Sequence, residues 1–258
     1  MGRPLAGLFL FRTVTYAIES TDLSRRFRRL DAVDGLNLRV PAGSIFGLVG
    51  PNGAGKTTTI KLLMNLVRPT RGSARVLDVD SRHLGPRHLQ RIGYVSENQR
   101  LPEWMTLAEL LAYCRPFYPT WDDALGRKLQ SDLNVPLNVR LRTMSRGTRM
   151  KAALLVSLAY RPELIVLDEP FSGLDPLVRD ELGRALRELA AAHQPQPMTI
   201  FISSHDVEEL ERLVDWIGFI DRGRLIFAEP VASLLARFAP RSLREIFVAL
   251  ARDAAQQS

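Results

Sequence analysis

Apolar residues recur along this chain at two spacings, and together they predict an α/β fold. Residues 17–21, 32–40 and 45–49 read as short strands, with Pro41-Ala42-Gly43 as the turn before the last of them. Residues 57–66 are helix-compatible and follow almost at once. Pro69-Thr70-Arg71-Gly72-Ser73 marks a turn into a strand at 74–77, and a short helix at 84–91 leads to a strand at 92–95. Residues 105–160 are mainly helical in character, interrupted at Pro116, Pro119 and Pro136. A buried strand is expected at 164–167. A helix at 176–193 follows, with Leu182, Ala185, Leu186 and Leu189 on one stripe. A strand at 198–203 and a short helix at 207–214 come next. Near the end, Ser242 and Glu245 have capping-box spacing, and Leu243, Ile246, Phe247 and Leu250 share a helical face. There is no internal repeat.

The predicted strand at 45–49 runs into Gly50-Pro51-Asn52-Gly53-Ala54-Gly55-Lys56-Thr57-Thr58, which fits the phosphate-binding pattern G-x-x-x-x-G-K-[ST]. A helix is expected directly after it, so strand, loop and helix come in the order this chemistry needs. Glycines let the backbone turn tightly and aim N–H groups inward, and the helix N-terminus adds a positive dipole end. Lys56 is positioned for the β- and γ-phosphates, and the Thr57 hydroxyl for Mg²⁺.

Leu164-Ile165-Val166-Leu167-Asp168-Glu169 supplies a second chemical element: four apolar residues bury a strand, and two carboxylates emerge at its C-terminal end. Ligands of open α/β sheets bind at that end. Asp168 suits Mg²⁺, and Glu169 suits polarising a water as general base. A third element, Phe201-Ile202-Ser203-Ser204-His205, ends a strand in two small polar residues and a histidine within reach of a γ-phosphate.

Composition changes this picture little. The chain has 258 residues, 46% hydrophobic and 24% charged, which is ordinary for a globular core. No apolar run approaches the ~18 residues that span a bilayer. Residues 5–11 are apolar but short, and an irregular N-terminal extension or a mis-assigned start is the expectation there. Cys114 is the only cysteine, so no disulfide framework or cysteine metal cluster is expected, and a cytoplasmic location is the default. The net charge of +7 gathers in arginines at 25, 26, 28 and 29 and at 140, 142, 146 and 149. No aromatic residues interleave with them as a nucleic-acid stacking platform would need, so nucleic acid is not an expected partner.

The order of these motifs resembles the ATP-binding subunit of an ABC transporter, over about residues 17–250. In that family's terms residues 50–58 match Walker A, and residues 164–169 match Walker B with its catalytic glutamate. Residues 172–175, ending in Asp175, match the D-loop, and His205 matches the switch histidine. Phe27 stands where the family stacks an aromatic on adenine. Met144-Ser145-Arg146-Gly147-Thr148 occupies the place of the LSGGQ signature. Ser145 also suits a helix cap that leaves N–H groups free for phosphate. The resemblance implies a P-loop NTPase with an ABC-type core: a mixed sheet around the P-loop helix, an antiparallel β subdomain and a helical subdomain. It implies an extension at residues 1–16, an ATPase domain at 17–230 with its helical part near 98–160, and a helical extension at 231–258. The cofactors would be ATP and Mg²⁺. The partners would be a separate transmembrane permease, docked near residues 97–120, and a second cassette, as homodimer or heterodimer, whose P-loop meets Ser145, Arg146, Gly147 and Thr148. The place implied is the cytoplasmic face of the membrane.

Two parts of the family pattern are altered, at three residues. Glu97 replaces the glutamine that follows the strand at 92–95, and it would contact Mg²⁺ or the attacking water. Arg146 replaces the first signature glycine, where it would either hinder closure or pair with phosphate. Thr148 also replaces the signature glutamine. Glu97, Tyr118-Pro119-Thr120-Trp121-Asp122, the signature variant and Ser242-Leu243-Arg244-Glu245-Ile246-Phe247 look like exporter ATPases related to bacterial antibiotic-response exporters. Alternative readings are an ATP-binding regulatory or resistance module with weak hydrolysis, or a soluble ABC ATPase acting on nucleic acid or the ribosome. Only 86 residues separate Thr58 from Ser145, with no heptad run, which argues against the coiled-coil insertion of DNA-acting members.

Overall fold

A computed structural model describes residues 15–192 and 197–256. The expected extension at 1–16 therefore falls almost entirely outside the described residues, as does His193. Strands come first: β1 (Tyr16–Phe27), β2 (Leu30–Leu36), β3 (Arg39–Pro41) and β4 (Ile45–Val49). Helix α1 (Lys56–Leu63), β5 (Arg71–Val76), β6 (Val79–Asp80), α2 (Pro86–Leu89) and β7 (Ile92–Ser96) follow. Then come α3 (Leu107–Cys114), α4 (Asp123–Asp132), α5 (Arg146–Leu158), β8 (Leu164–Asp168), α6 (Pro176–Ala192) and β9 (Thr199–Ser204). The chain continues through β10 (Trp216–Asp221), β11 (Arg224–Pro230), α7 (Val231–Phe238) and α8 (Leu243–Gln256).

The sheet that positions the site has six strands in the order β11-β10-β4-β9-β8-β7. All its pairings are parallel except that of β10 with β11. Every residue of β4, β8 and β9 is buried. The reason is visible in the two core clusters. Ile45, Val49, Ile165, Leu167, Ile200 and Ile202 pack with the helices α3 to α8. Phe46, Leu48, Leu164, Val166 and Phe201 pack with α1 and the antiparallel sheet formed by β1, β2, β3, β5 and β6. A strand covered on both faces needs a continuous apolar run, not an alternating one. Phe46 and Phe201 stack across the β4–β9 pair, centroids 5.7 Å apart.

Several boundaries move once partners are in place. β1 runs six residues past the expected end at 21, because Arg25, Arg26 and Phe27 pair with Val33, Asp31 and Leu30 of β2, although Arg26 and Phe27 are exposed and Arg25 is half-buried. The expected strand at 32–40 splits into β2 and β3, and the helix at 84–91 shrinks to α2. The short helix expected at 207–214 does not form. Glu211 N and Leu210 N both bond to Val207 O, and Val214 N and Leu213 N both bond to Leu210 O. The segment is thus two separate turns, each anchored by a buried apolar residue, rather than a continuous i→i−4 ladder. The β10–β11 hairpin has no counterpart in the sequence expectations, whereas α7 falls within the residues 231–258 expected to be helical. Ser242 N donates to Glu245 Oε2 (2.8 Å) and Glu245 N donates to Ser242 Oγ (3.3 Å), the reciprocal bonds of a capping box, and Leu243 and Ile246 are buried. No helix among the described residues is long and apolar enough to cross a membrane.

Candidate active site

Parallel pairing brings three strand ends to one edge. Val49 is in register with Ser204, and Asp168 with Ser203, so the loop after β4, the carboxylates after β8 and His205 after β9 are neighbours. The loop after β4 can form only with glycine at two places. A Cβ on Gly50 would lie 2.1 Å from the Ile220 carbonyl oxygen, and Gly55 has φ of 108° with the Ala32 carbonyl 2.4 Å from where its Cβ would be. Gly55 also precedes the first turn of α1, which carries no acidic side chain to compete for its free N–H groups.

Lys56 is 5% exposed and turns back over this loop. Its Nζ donates to Gly50 O (2.7 Å) and Pro51 O (3.2 Å), and lies 3.1 Å from Glu169 Oε1. The other Glu169 oxygen, Oε2, is 2.8 Å from His205 Nδ1 and accepts from His205 N at 3.3 Å. Glu169 is thus held between two groups of opposite or potential opposite charge. Its backbone is at φ 53°, a left-handed conformation that costs a non-glycine residue roughly 1–2 kcal/mol. Ser203 holds it there: Glu169 N donates to Ser203 O (3.2 Å) and to Ser203 Oγ (3.1 Å).

Asp168 lies under this layer. Its Oδ1 accepts from Thr57 Oγ1 (3.1 Å) and Ser203 Oγ (2.8 Å). Burial raises its pKa above the usual carboxylate value, against the hydrogen bonds from Ser203 and Thr57, which lower it. A buried carboxylate beside the Thr57 and Ser203 hydroxyls, with no group of three or more His, Cys, Asp or Glu among the described residues, is an all-oxygen donor set that fits Mg²⁺. That ion keeps waters and substrate phosphate oxygens as its remaining ligands. A raised folded-state pKa means the folded chain holds the proton where the unfolded chain has lost it. The stabilising contribution is therefore present at low pH and lost as pH rises from 3.8 through the raised value. Asp168→Asn is accordingly expected to raise Tm of the protein without added Mg²⁺ or nucleotide at neutral pH by about 2–4 °C, the scale of ~1 kcal/mol for this length. Calorimetry of both proteins, which should show the gap closing toward pH 4, checks this.

One cavity of about 590 Å³ gathers most of the expected residues: Phe27, Asn52, Gly53, Gly55, Lys56, Thr57, Thr58, Glu97, Glu169 and His205 line it. Phe27 is 40% exposed, with Arg25 Cζ stacked 4.4 Å from its ring centroid. Gly50, Pro51 and Ala54 do not line the cavity; they shape the loop and supply carbonyls. Ser145, Gly147, Thr148 and Asp175 do not line it either. Ser145 is the N-cap of α5, accepting from Thr148 N at 3.1 Å, and Asp175 Oδ1 accepts from Val178 N (3.0 Å) in the first turn of α6. Glu97 and Arg146 meet each other, Arg146 Nη2 donating to Glu97 Oε1 at 2.5 Å. Ser172, the first residue of the expected D-loop, lines the cavity as well; Leu30 and Ala32, which also line it, and Ser203, which organises both carboxylates, have no role among the expectations. For Ser203 the signal was present: two serines closing an apolar strand, here 0% and 1% exposed.

Comparison with known proteins places this geometry in a family. The family model described as ABC transporter matches residues 33–172. The bacitracin transport ATP-binding protein of Bacillus licheniformis is 34% identical over 222 residues, 85% of this chain and 72% of its own length. The daunorubicin/doxorubicin resistance ATP-binding protein of Streptomyces peucetius is 34% identical over 235 residues, 89% of this chain and 70% of its own. A solved structure described as the ATP-binding subunit of an ABC transporter superposes with a TM-score of 0.80 at 26% identity, covering 92% of this chain and all of that one. The chain belongs to the ABC transporter family, as an ATP-binding and ATP-hydrolysing subunit.

Proposed function

We propose that this chain powers export of a compound through a separate membrane-spanning partner, from the cytoplasmic face of the membrane. The observation that carries the reading is the convergence of Lys56, Thr57, Glu169 and His205 on one cavity, with Asp168 beneath Thr57. ATP enters with its base against Phe27 and its phosphates on the N-terminus of α1. The γ-phosphate takes Lys56 from Glu169, so the carboxylate that paired the lysine becomes free to accept a proton. Water attacks the γ-phosphorus, Glu169 takes its proton, the bond to the β-phosphate oxygen breaks, and ADP and phosphate leave. His205, 2.8 Å from Glu169, would hold the γ-phosphate, and that proximity supports the role. Thr57 and Asp168 would hold Mg²⁺, which supplies charge neutralisation on the phosphates.

The signature residues Ser145, Gly147 and Thr148 lie outside their own chain's cavity, which supports a role for them at the cavity of a second cassette. For the membrane partner, a groove of about 300 Å³ between residues 96–103 and α5 opens beside Glu97. Trp104, Tyr113 and Phe117 stand exposed on the same helical part, with Tyr113 and Phe117 in ring contact. Export is the direction that the names of the bacitracin and daunorubicin relatives support.

Mixing two variants tests the composite site. Lys56→Ala and Ser145→Arg proteins should each be inactive. Mixed one to one they should regain about a quarter of parental ATP turnover, since half the dimers are mixed and each holds one complete site of two. With each variant inactive alone, no recovery on mixing would mean that Ser145 acts in its own chain and not at the cavity of a second cassette.

A further inference from the structure

Two of the three residues at which this chain departs from its family's pattern, Glu97 and Arg146, are 49 residues apart in sequence and in contact. Arg146 Nη2 donates to Glu97 Oε1 at 2.5 Å, and Ser172 Oγ donates to the same oxygen at 3.0 Å. Glu97 faces the cavity that also holds Lys56 and Glu169. Its backbone N–H is tied to Asp168 O at 2.9 Å, so the carboxylate cannot drift far from that cavity. Arg146 begins α5, where a positive side chain opposes the helix dipole. Its guanidinium passes over Gly173, where a Cβ would stand 2.9 Å from Nη1 and 3.0 Å from Cζ; the absent side chain leaves the crossing open. Each charge is thus a liability alone: a carboxylate beside a polyphosphate pocket, and a cation at a helix N-terminus.

We propose that Glu97 and Arg146 act as one compensated unit. Arg146 neutralises the carboxylate that would otherwise repel the ATP phosphates, and so is a positioning and charge-compensating residue for nucleotide binding in its own chain. The proposal rests on the reading that ATP occupies the cavity at Lys56. It differs from any direct contact of Arg146 with phosphate, because here the guanidinium acts through Glu97. The pair is partly solvent-exposed, with side chains 47% and 29% accessible, so its effect is on local charge rather than on folding.

The test is equilibrium binding of a fluorescent ATP analogue, in the presence of a chelator, to the full chain and to R146A, R146K, E97Q and E97Q/R146A. R146A should weaken binding about tenfold at low salt, the scale of one uncompensated charge facing a polyanion. The loss should shrink at high salt, which a packing defect would not do. R146K should retain most of the affinity, and E97Q/R146A should recover most of what R146A loses, because no carboxylate is left to repel. Parental affinity in R146A, or a double variant as weak as R146A, overturns the pairing while leaving the ATP site intact. K56A serves as the control for the site itself: a parent chain that binds no better than K56A overturns both readings.

Discussion

Glu169→Gln is expected to lower kcat for ATP hydrolysis by roughly 10²–10⁴, the scale of losing a general base, while ATP binding persists. Glutamine keeps the size and one acceptor oxygen but cannot take the proton from water. It also loses the ion pair to Lys56 at 3.1 Å, so the lysine is no longer shared between the carboxylate and an incoming phosphate. Affinity for ATP should therefore hold or rise as turnover falls, and this split separates loss of a base from loss of a fold. Phosphate release and nucleotide binding, measured on the same preparation, decide it. Unaltered hydrolysis would remove Glu169 from the chemistry and leave its left-handed backbone, at φ 53°, without a functional reason.

Lys56→Ala carries the second large effect, and it acts on binding. The lysine makes charge-assisted hydrogen bonds to Gly50 O and Pro51 O and an ion pair to Glu169, all within a buried position. Bonds of this kind to a phosphate contribute about 1.5–3 kcal/mol each, so ATP affinity should fall by roughly 10² or more. Removal also takes the lysine donor from Gly50 O and Pro51 O, the latter keeping only Ala54 N (3.1 Å), and leaves the Glu169 carboxylate paired with His205. The phosphate loop should loosen, and hydrogen exchange at residues 50–56 should rise even without nucleotide. Tight ATP binding by this variant would contradict the assignment of the loop.

How much of this was legible beforehand depends on the range of the interaction. The phosphate loop was readable because its chemistry is local: glycines, lysine and threonine act within nine consecutive residues between a strand and a helix. The buried strands β4 and β8 were readable for a related reason, since coverage on both faces writes itself as an unbroken apolar run. The extension of β1 through Arg25 and Arg26 was not, because its backbone is satisfied by β2 while no apolar side chain marks those two positions: Arg26 is exposed, and Arg25 is half-buried with Nη1 donating to Arg68 O (2.9 Å). The β10–β11 hairpin is legible in principle, since Trp216-Ile217-Gly218-Phe219-Ile220 before Asp221-Arg222-Gly223 carries a strand-and-turn pattern.

By itself the sequence determined the kind of chemistry: a loop for phosphate, an acidic strand end, a histidine and a capped helix start. These follow from side-chain identity and short spacing, which need no partner to have meaning. Tertiary structure alone decided which of these groups meet. Parallel pairing of β4, β9 and β8 set both Lys56 and His205 within 3.1 Å of Glu169, and put Ser203 under both carboxylates. It also turned two apparent exceptions, Glu97 and Arg146, into one ion pair. A single residue's charge can be read from the chain, but what compensates it is a matter of distance, and distance exists only after the sheet has closed.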